Sequence, residues 1–287
     1  MDQSQITEEG LHALIAVNRG SEDPARFVII EYRSPSATKK KVHIGLVGKG
    51  ITFDTGGISL KNSTNMHYMK CDLGGGAAIF GTMYIAAQEQ PDADITAIIP
   101  ITENSIGTKA IKPGDVIGSH SGQSIEIIDT DAEGRLILAD GISYINTHYS
   151  IDHLIDMATL TGSMVQTLGY HAGGVFTSSD ELAATLCKAG DDVGERLWRM
   201  PIWDEYKKDM SSTIADIRNY SGLPIGGAIS AAKFLEAFAG GHQSWAHIDM
   251  AGVAYGKNPY TTEKAGTAYG SHLLYQWIKN VSQHYNL

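Results

Sequence analysis

Apolar residues along this chain come in short dense runs separated by polar, glycine-containing stretches. FVIIEYR (Phe27 to Arg33), VHIGLVG (Val42 to Gly48), DITAIIPIT (Asp94 to Thr102), HLIDMATL (His153 to Leu160) and SWAHIDMAG (Ser244 to Gly252) are rich in β-branched or aromatic residues and read as strands. Helical patterns lie between them. GGAAIFGTMYIAAQ (Gly75 to Gln88) is built of small and apolar residues, and RLILADGISYINTH (Arg135 to His148) sets Leu136, Ala139, Ile142 and Ile145 at helix spacing. AISAAKFLEAFAG (Ala228 to Gly240) is a third helix, with its glycine pair as the predicted C-cap. DDVGERLWRMPIW reads as helix and turn packing, with Trp198 and Trp203 as core or interface anchors. Strands alternating with helices, several of them apolar on both faces, predict an α/β fold. It has a mixed, mostly parallel central sheet sandwiched between helices and its site at the carboxyl ends of the strands.

The length of 287 residues and the 43% hydrophobic content suit a folded globular chain, read here as a single domain over 1–287. Residues 1–41 form a lead-in helix, strand and loop, closed by the solvated basic run Thr38 to Lys41. A formal net charge of -10 argues against nucleic acid or an anionic membrane as partner, since both need basic surface. No apolar run reaches membrane-spanning length, and the acidic, polar start is unlike a signal peptide. Two cysteines, Cys71 and Cys187, form no framework, which suits a reducing cytoplasm. The eleven histidines show no HExxH or other zinc pair and are read as surface or core residues.

Three strand ends carry unusual polar residues. The strand at Val42 leaves through Gly48-Lys49-Gly50 and presents Asp54, two glycines and Lys61. YMKCDLGGGAA sets Asp72 before a glycine-rich helix start, where a plain N-cap is the simplest reading. IIDTDAEGRLILAD crowds Asp129, Asp131, Glu133 and Arg135 onto alternate positions at a strand-to-helix passage. In extended backbone such residues share a face, so Asp131 and Glu133 point into one pocket. A solvated turn is the bland account of that cluster, and a site holding something strongly positive is the sharp one. A glycine loop cradling phosphate is a further alternative, disfavoured by the surrounding acids and by the lack of a GxxxxGK[ST] or GxGxxG helix opening.

VGKGITFDTGGISLK, MKCDLGGGAA, ENSIGTKAIKPGDV, DTDAEGRLILAD, MATLTG and WAHIDMAG follow one another as in the leucyl aminopeptidase (cytosol aminopeptidase) family, which the chain resembles over nearly its whole length. The resemblance implies a metallopeptidase catalytic domain. Lys49, Asp54, Asp72, Asp131 and Glu133 would bind two divalent metal ions, Mn or Zn, with Co or Mg as alternatives. Asp54 and Glu133 would be shared between them, and Lys61 and Arg135 would be the catalytic pair. Two such ions balance four carboxylates that would otherwise repel. The implied reaction removes the N-terminal residue, preferably Leu or Met, from peptides with a free N-terminus, using a metal-bridged hydroxide. Lys61 steadies the oxyanion, and bicarbonate near Arg135 acts as base. Met69, Thr159, Leu160, Gly162 and Ala251 are implied to bind the substrate. The competing expectation is a catalytically silent structural or binding member of the same fold. The family also implies a homo-oligomer, a hexamer of two trimers. Two departures stand out: Asp129 occupies a position where relatives carry Asn, and the N-terminal domain of relatives has no counterpart here.

Overall fold

A computed structural model describes residues 1–37, 41–257 and 262–285, with residues 284 and 285 described by backbone alone. Within them the chain opens with helices α1 (Gln3–Glu8) and α2 (His12–Asn18) and strands β1 (Arg26–Tyr32), β2 (Val42–Gly48) and β3 (Gly50–Asp54). A 3-10 helix over Met66–Leu73 leads into α3 (Gly74–Glu89) and β4 (Ala93–Asn104). Short strands β5 (Val116–Ile117) and β6 (Ile125–Glu126) precede α4 (Gly134–His148), β7 (His153–Ala158), α5 (Gly162–Leu168) and β8 (Gly173–Phe176). Then come α6 (Asp180–Val193), β9 (Leu197–Met200), β10 (Ile217–Arg218), α7 (Gly227–Glu236) and β11 (Trp245–Asp249). The hairpin of β12 (Tyr255–Gly256) and β13 (Ala265–Gly266), and helix α8 (Ser271–Tyr285), complete it.

The eight-stranded sheet runs β1-β4-β2-β7-β11-β8-β9, with β3 also paired to β4. The central pairings β4–β2, β2–β7 and β7–β11 are parallel, as are β3–β4 and β8–β9. Within this sheet, among the described residues, only β1 against β4 and β8 against β11 run antiparallel. The expected mixed, mostly parallel sheet is therefore present. Residues of β2 alternate between two cores: Ile44 and Leu46 pack with α3, α6 and α8, while Val47 packs with α2, α4 and α7. Burial on both faces explains the unbroken apolar runs of these strands. One glycine fixes how close α3 can come: a Cβ on Gly75 would stand 2.1 Å from the Met157 carbonyl oxygen of β7.

The sequence-predicted strands and helices recur with their ends shifted by no more than two residues, apart from β11, which ends at Asp249 and not Gly252, and α7. That helix stops at Glu236 with Ala237 as its C-cap, and the glycine pair lies beyond it, both residues at positive φ in a separate turn. Asp72 is not an N-cap either. Leu73 holds that position without a side-chain bond, and the Asp72 carboxylate turns toward Lys49. The segment containing Trp198 includes strand β9, and Trp198 and Trp203 are 66% and 65% exposed, so neither is a core residue. Thr38, Lys39 and Lys40 of the basic run lie outside the described residues. No helix among the described residues is long and apolar enough to cross a membrane.

Candidate metal and active site

Parallel pairing of β2, β3, β7 and β11 brings their carboxyl ends to one edge of the sheet. Lys49 follows β2, Asp54 ends β3, Thr159 and Leu160 follow β7, and Ala251 lies just past β11. The 3-10 helix adds Met69 and Asp72, and the start of α4 adds Glu133 and Arg135. All twelve residues singled out from the sequence line one cavity of about 520 Å³, Lys61, Asp131 and Gly162 included. Cys71 and Asp129 line it as well.

Two lysines organise the acids. The Lys49 ammonium lies 2.8 Å from Asp72 Oδ2 and 2.9 Å from Glu133 Oε1, and donates to the Thr159 carbonyl at 3.0 Å. Lys61 lies 2.7 Å from Asp54 Oδ2 and also pairs with Asp131. Burial alone would lower both ammonium pKa values, but Asp72, Glu133 and Asp54 around Lys49, and Asp54 and Asp131 around Lys61, raise them. The carboxyls move up too. Burial raises the Asp72 carboxyl well above its ordinary value, and raises Glu133 too, against the pull of Lys49, and burial with the neighbouring Asp54 lifts Asp131 to about 7. Two ammonium groups thus do not balance four carboxylates. Burial also pulls Arg135 down to about 10, opposed by Glu133 and Asp129.

The orphaned atoms identify what is lacking. Glu133 is 1% exposed, and neither of its carboxylate oxygens has a hydrogen bond, Oε1 having only its ion pair with Lys49. Asp72 Oδ2 is in the same position. Oxygens of Asp54, Asp131 and Glu133 lie within 4.8 Å of one another, close enough to converge on one cation, while Asp72 is joined to Glu133 through Lys49, which pairs with both. Anionic oxygens with an amine nitrogen suit divalent metals such as Mn²⁺, Zn²⁺ or Mg²⁺. A divalent ion would also remove the repulsion that raises the carboxyl pKa values. The donor set therefore fits metal. Buried Arg135 has the opposite need: its Nε–H has no partner, and Nη1 donates 2.8 Å to the Asn219 carbonyl, leaving donors for an anion.

Asp131 and Glu133 reach the cavity for a reason other than the predicted extended backbone. Strand β6 ends at Glu126, and residues 129–133 form a turn closed by Ala132 N–H to the Asp129 carbonyl at 3.3 Å. Asn219 fastens that turn. Its Oδ1 accepts from Ile128 N at 2.8 Å, and its Nδ2 donates to the Asp129 carbonyl at 2.6 Å. The Asp129 carboxylate accepts from Asp131 N at 2.9 Å, a local bond that sets the angle of the turn. Asn104 donates 2.8 Å to Asp54 Oδ1, which also takes the Gly56 N–H at 2.9 Å, and Gly56 adopts φ +87°, open to glycine at little cost. Buried Asp249 accepts from Leu160 N and Ala251 N, both at 3.1 Å, and from Thr161 Oγ1 at 2.7 Å, so one carboxylate sets two walls of the cavity. Asn104, Asn219 and Asp249 escaped the sequence reading. Only Asp249, in WAHIDMAG at the end of a predicted strand, offered a signal.

The family model for the cytosol aminopeptidase family, catalytic domain, matches residues 1–275. Among curated relatives, a probable cytosol aminopeptidase of Chloroherpeton thalassium is 45% identical over 282 residues, covering 97% of this chain and 54% of that protein. One of Chlorobaculum tepidum is 44% identical over 281 residues, with 98% and 55% covered. The chain therefore spans about half the length of the curated relatives it matches. Among solved structures, the bottromycin maturation enzyme BotP in complex with Mn superposes with a TM-score of 0.91 at 35% identity, over 98% of this chain and 61% of that one.

Proposed function

The chain belongs to the cytosol aminopeptidase family, and from that premise we propose that it is a metal-dependent aminopeptidase releasing the N-terminal residue of peptides. The observation that carries the reading is the convergence of four carboxylates, two lysines and a buried arginine, with Glu133 Oε2 left unpartnered, at the carboxyl edge of the sheet. Lys49, Asp54, Asp72, Asp131 and Glu133 would hold two divalent ions, Mn²⁺ or Zn²⁺ in the first instance. When bound, these ions supply Lewis acidity toward a peptide carbonyl and a water-derived nucleophile at neutral pH.

The chain's own groups then have separable tasks. Lys49 must give up its proton before its nitrogen can ligate, so metal uptake releases a proton. Lys61, held as an ammonium by Asp54 and Asp131, donates to the oxygen that gains charge as water adds to the carbonyl carbon. The unpaired donors of Arg135 would hold a small anion, bicarbonate, which would supply a general base beside the attacking water. Backbone groups of Thr159, Leu160 and Gly162 align the substrate chain. Met69, Thr159, Gly162 and Ala251 wall the first side chain, and a Cβ at Gly162 would meet nothing within 4 Å, which leaves room for Leu or Met. An acidic cavity favours a free amine over an acylated one. Exposed Trp198 and Trp203 fit interface anchors of a homo-oligomer, a hexamer by analogy with the family, and two free thiols suit a cytosolic setting.

The test is hydrolysis of a leucine chromogenic amide by metal-stripped protein, then with Mn²⁺, Zn²⁺, Co²⁺ or Mg²⁺ restored, beside an N-acetylated control. Metal-dependent cleavage that fails on the blocked amide is expected. Folded, metal-loaded protein that is silent with every ion would instead establish the non-catalytic member.

A further inference from the structure

A second cluster of ligand-type side chains lies outside the cavity, where three distant segments meet. Glu9 caps the C-terminal end of α1, His120 sits in the loop between β5 and β6, and His148 is the last residue of α4. Glu9 Oε1 lies 3.1 Å from His148 Nε2 and 3.5 Å from His120 Nε2, and the three donor atoms fall within 4.8 Å of one another.

The far side of each imidazole is already fixed. His148 Nδ1 lies 3.0 Å from the Tyr144 carbonyl, which can only accept, so that nitrogen carries the hydrogen. In neutral His148 the Nε2 lone pair therefore points at a carboxylate oxygen. Two such acceptors 3.1 Å apart are held together by a proton or by a metal cation that both bind. His120 Nδ1 is held 2.8 Å from Ser143 Oγ. Burial keeps the His120 imidazole pKa below its usual value despite Glu9, and His148 and His12 add to the lowering. Protonating both rings would place two cations around one carboxylate.

We propose that Glu9, His120 and His148 form a separate transition-metal site, taking one Zn²⁺ or a similar borderline ion through two Nε2 atoms and one carboxylate oxygen. Tetrahedral zinc with bonds of roughly 2.0–2.1 Å sets its donors roughly 3.3 Å apart, and the observed 3.1 and 3.5 Å straddle that spacing. Imidazole donors select zinc-like ions over Mg²⁺ or Ca²⁺. Nδ1 bonds to a hydroxyl and a carbonyl are the outer support that orients metal-binding histidines. The C-terminal end of α4 is the negative end of the helix dipole, which favours a cation there. His148, with 36% of its side chain exposed, leaves an open path and room for water as a fourth ligand, while the Tyr144 ring stacks on it at 4.1 Å. A bound ion would tie α1 and the β5–β6 loop to the helix whose opposite end carries Arg135.

The test counts zinc on the full chain by elemental analysis after equilibration with micromolar Zn²⁺ and removal of free ion, for the wild type, His148→Ala and Glu9→Gln. Both changed side chains are partly exposed, so folding survives them. Each variant is expected to hold one zinc fewer than the wild type and to lose part of the Zn²⁺-dependent rise in Tm. Hydrolysis of the leucine amide is expected to stay within twofold of the wild type. An equal zinc count in all three proteins overturns the site, whatever the fate of the aminopeptidase reading.

Discussion

Asn219→Ala is the most informative perturbation, because that side chain touches none of the site's carboxylates yet anchors the turn that presents two of them. Removing the amide strands the Ile128 N–H and the Asp129 carbonyl, which it meets at 2.8 and 2.6 Å, in a turn where Asn219 is fully buried. A buried polar group left without its partner costs roughly 1–3 kcal/mol. Ile128 and Asp129 are only half-buried, so water recovers part of the loss, and the sum is about 3 kcal/mol. The Arg135 contact survives because it goes to the Asn219 main-chain oxygen. Stability and activity should therefore separate from charge. Urea unfolding is expected to show a lower midpoint at unchanged m-value. Under conditions where the variant is still folded, kcat on the leucine amide falls by about 100-fold, the scale of a 1 Å misplacement of reacting groups. Asn219→Asp is the sharper variant: it keeps the acceptor for Ile128 but sets a carboxylate oxygen against the Asp129 carbonyl, and activity should fall further. If Asn219→Ala loses less than about 0.5 kcal/mol and stays within twofold in kcat, the turn is held by something else.

Gly134→Ala acts on the other side of the site. The added Cβ would meet Lys49 Cδ, Cε and Nζ at 2.5–2.7 Å, and Lys49, being 3% exposed, has little space into which to retreat. Displacement of that amine is expected to weaken metal uptake, measured by competition with a chelating dye, by tenfold or more; unchanged affinity would show that Lys49 yields without leaving the site. Buried Asp140 gives a pH signature. Burial lifts it to about 7 against the bonds it accepts from His120, Leu14 and Ala13 N–H groups. A raised folded-state pKa stabilises fully below the unfolded value of about 3.9, and the contribution is lost as pH rises through 7. The stability of the wild type relative to Asp140→Asn should thus fall by about 4 kcal/mol between pH 4 and 8, at 1.36 kcal/mol per pKa unit. A difference that does not vary with pH would place the folded pKa near its ordinary value.

How much of this was legible in the sequence follows from the range of the interactions. The strands and three helices announced themselves because burial on both faces, or on one stripe, writes a period into consecutive residues. The strand order did not, since β4 sits between β1 and β2 for reasons of packing among distant segments. The same division runs through the site. Lys49, Asp54, Asp72, Asp131 and Glu133 stand out as charges at strand ends, where a soluble chain has no structural need of them. Their local geometry departs from the local pattern: Asp72 makes no helix cap, and residues 129–133 form a turn instead of extended backbone. In each case the alternating or capping pattern is real in sequence, but a contact from far along the chain overrides it. Lys49 draws Asp72 away from the helix start, and Asn219, ninety residues beyond Asp129, bends the turn.

That override explains why the positioning residues were invisible. Asn104, Asn219 and Asp249 each satisfy main-chain, hydroxyl or carboxylate groups 26 to 91 residues away, and nothing near them in sequence marks the distant partner. The carboxylates they support repel one another. Loss of hydration on burial raises Asp72, Asp131 and Glu133 first, and the neighbouring carboxylates raise them further. A chain that folds before metal arrives must hold those acids in place without the ion's help. Lys49 and Lys61 do so electrostatically, the amide side chains do so by direction, and neither suffices alone. An ammonium screens charge but leaves a carboxylate free to rotate, and an amide fixes an oxygen without neutralising it. On the proposed reading the site is preformed, and a cation bound there would displace a proton and settle the two oxygens of Glu133 without folding the loops around itself.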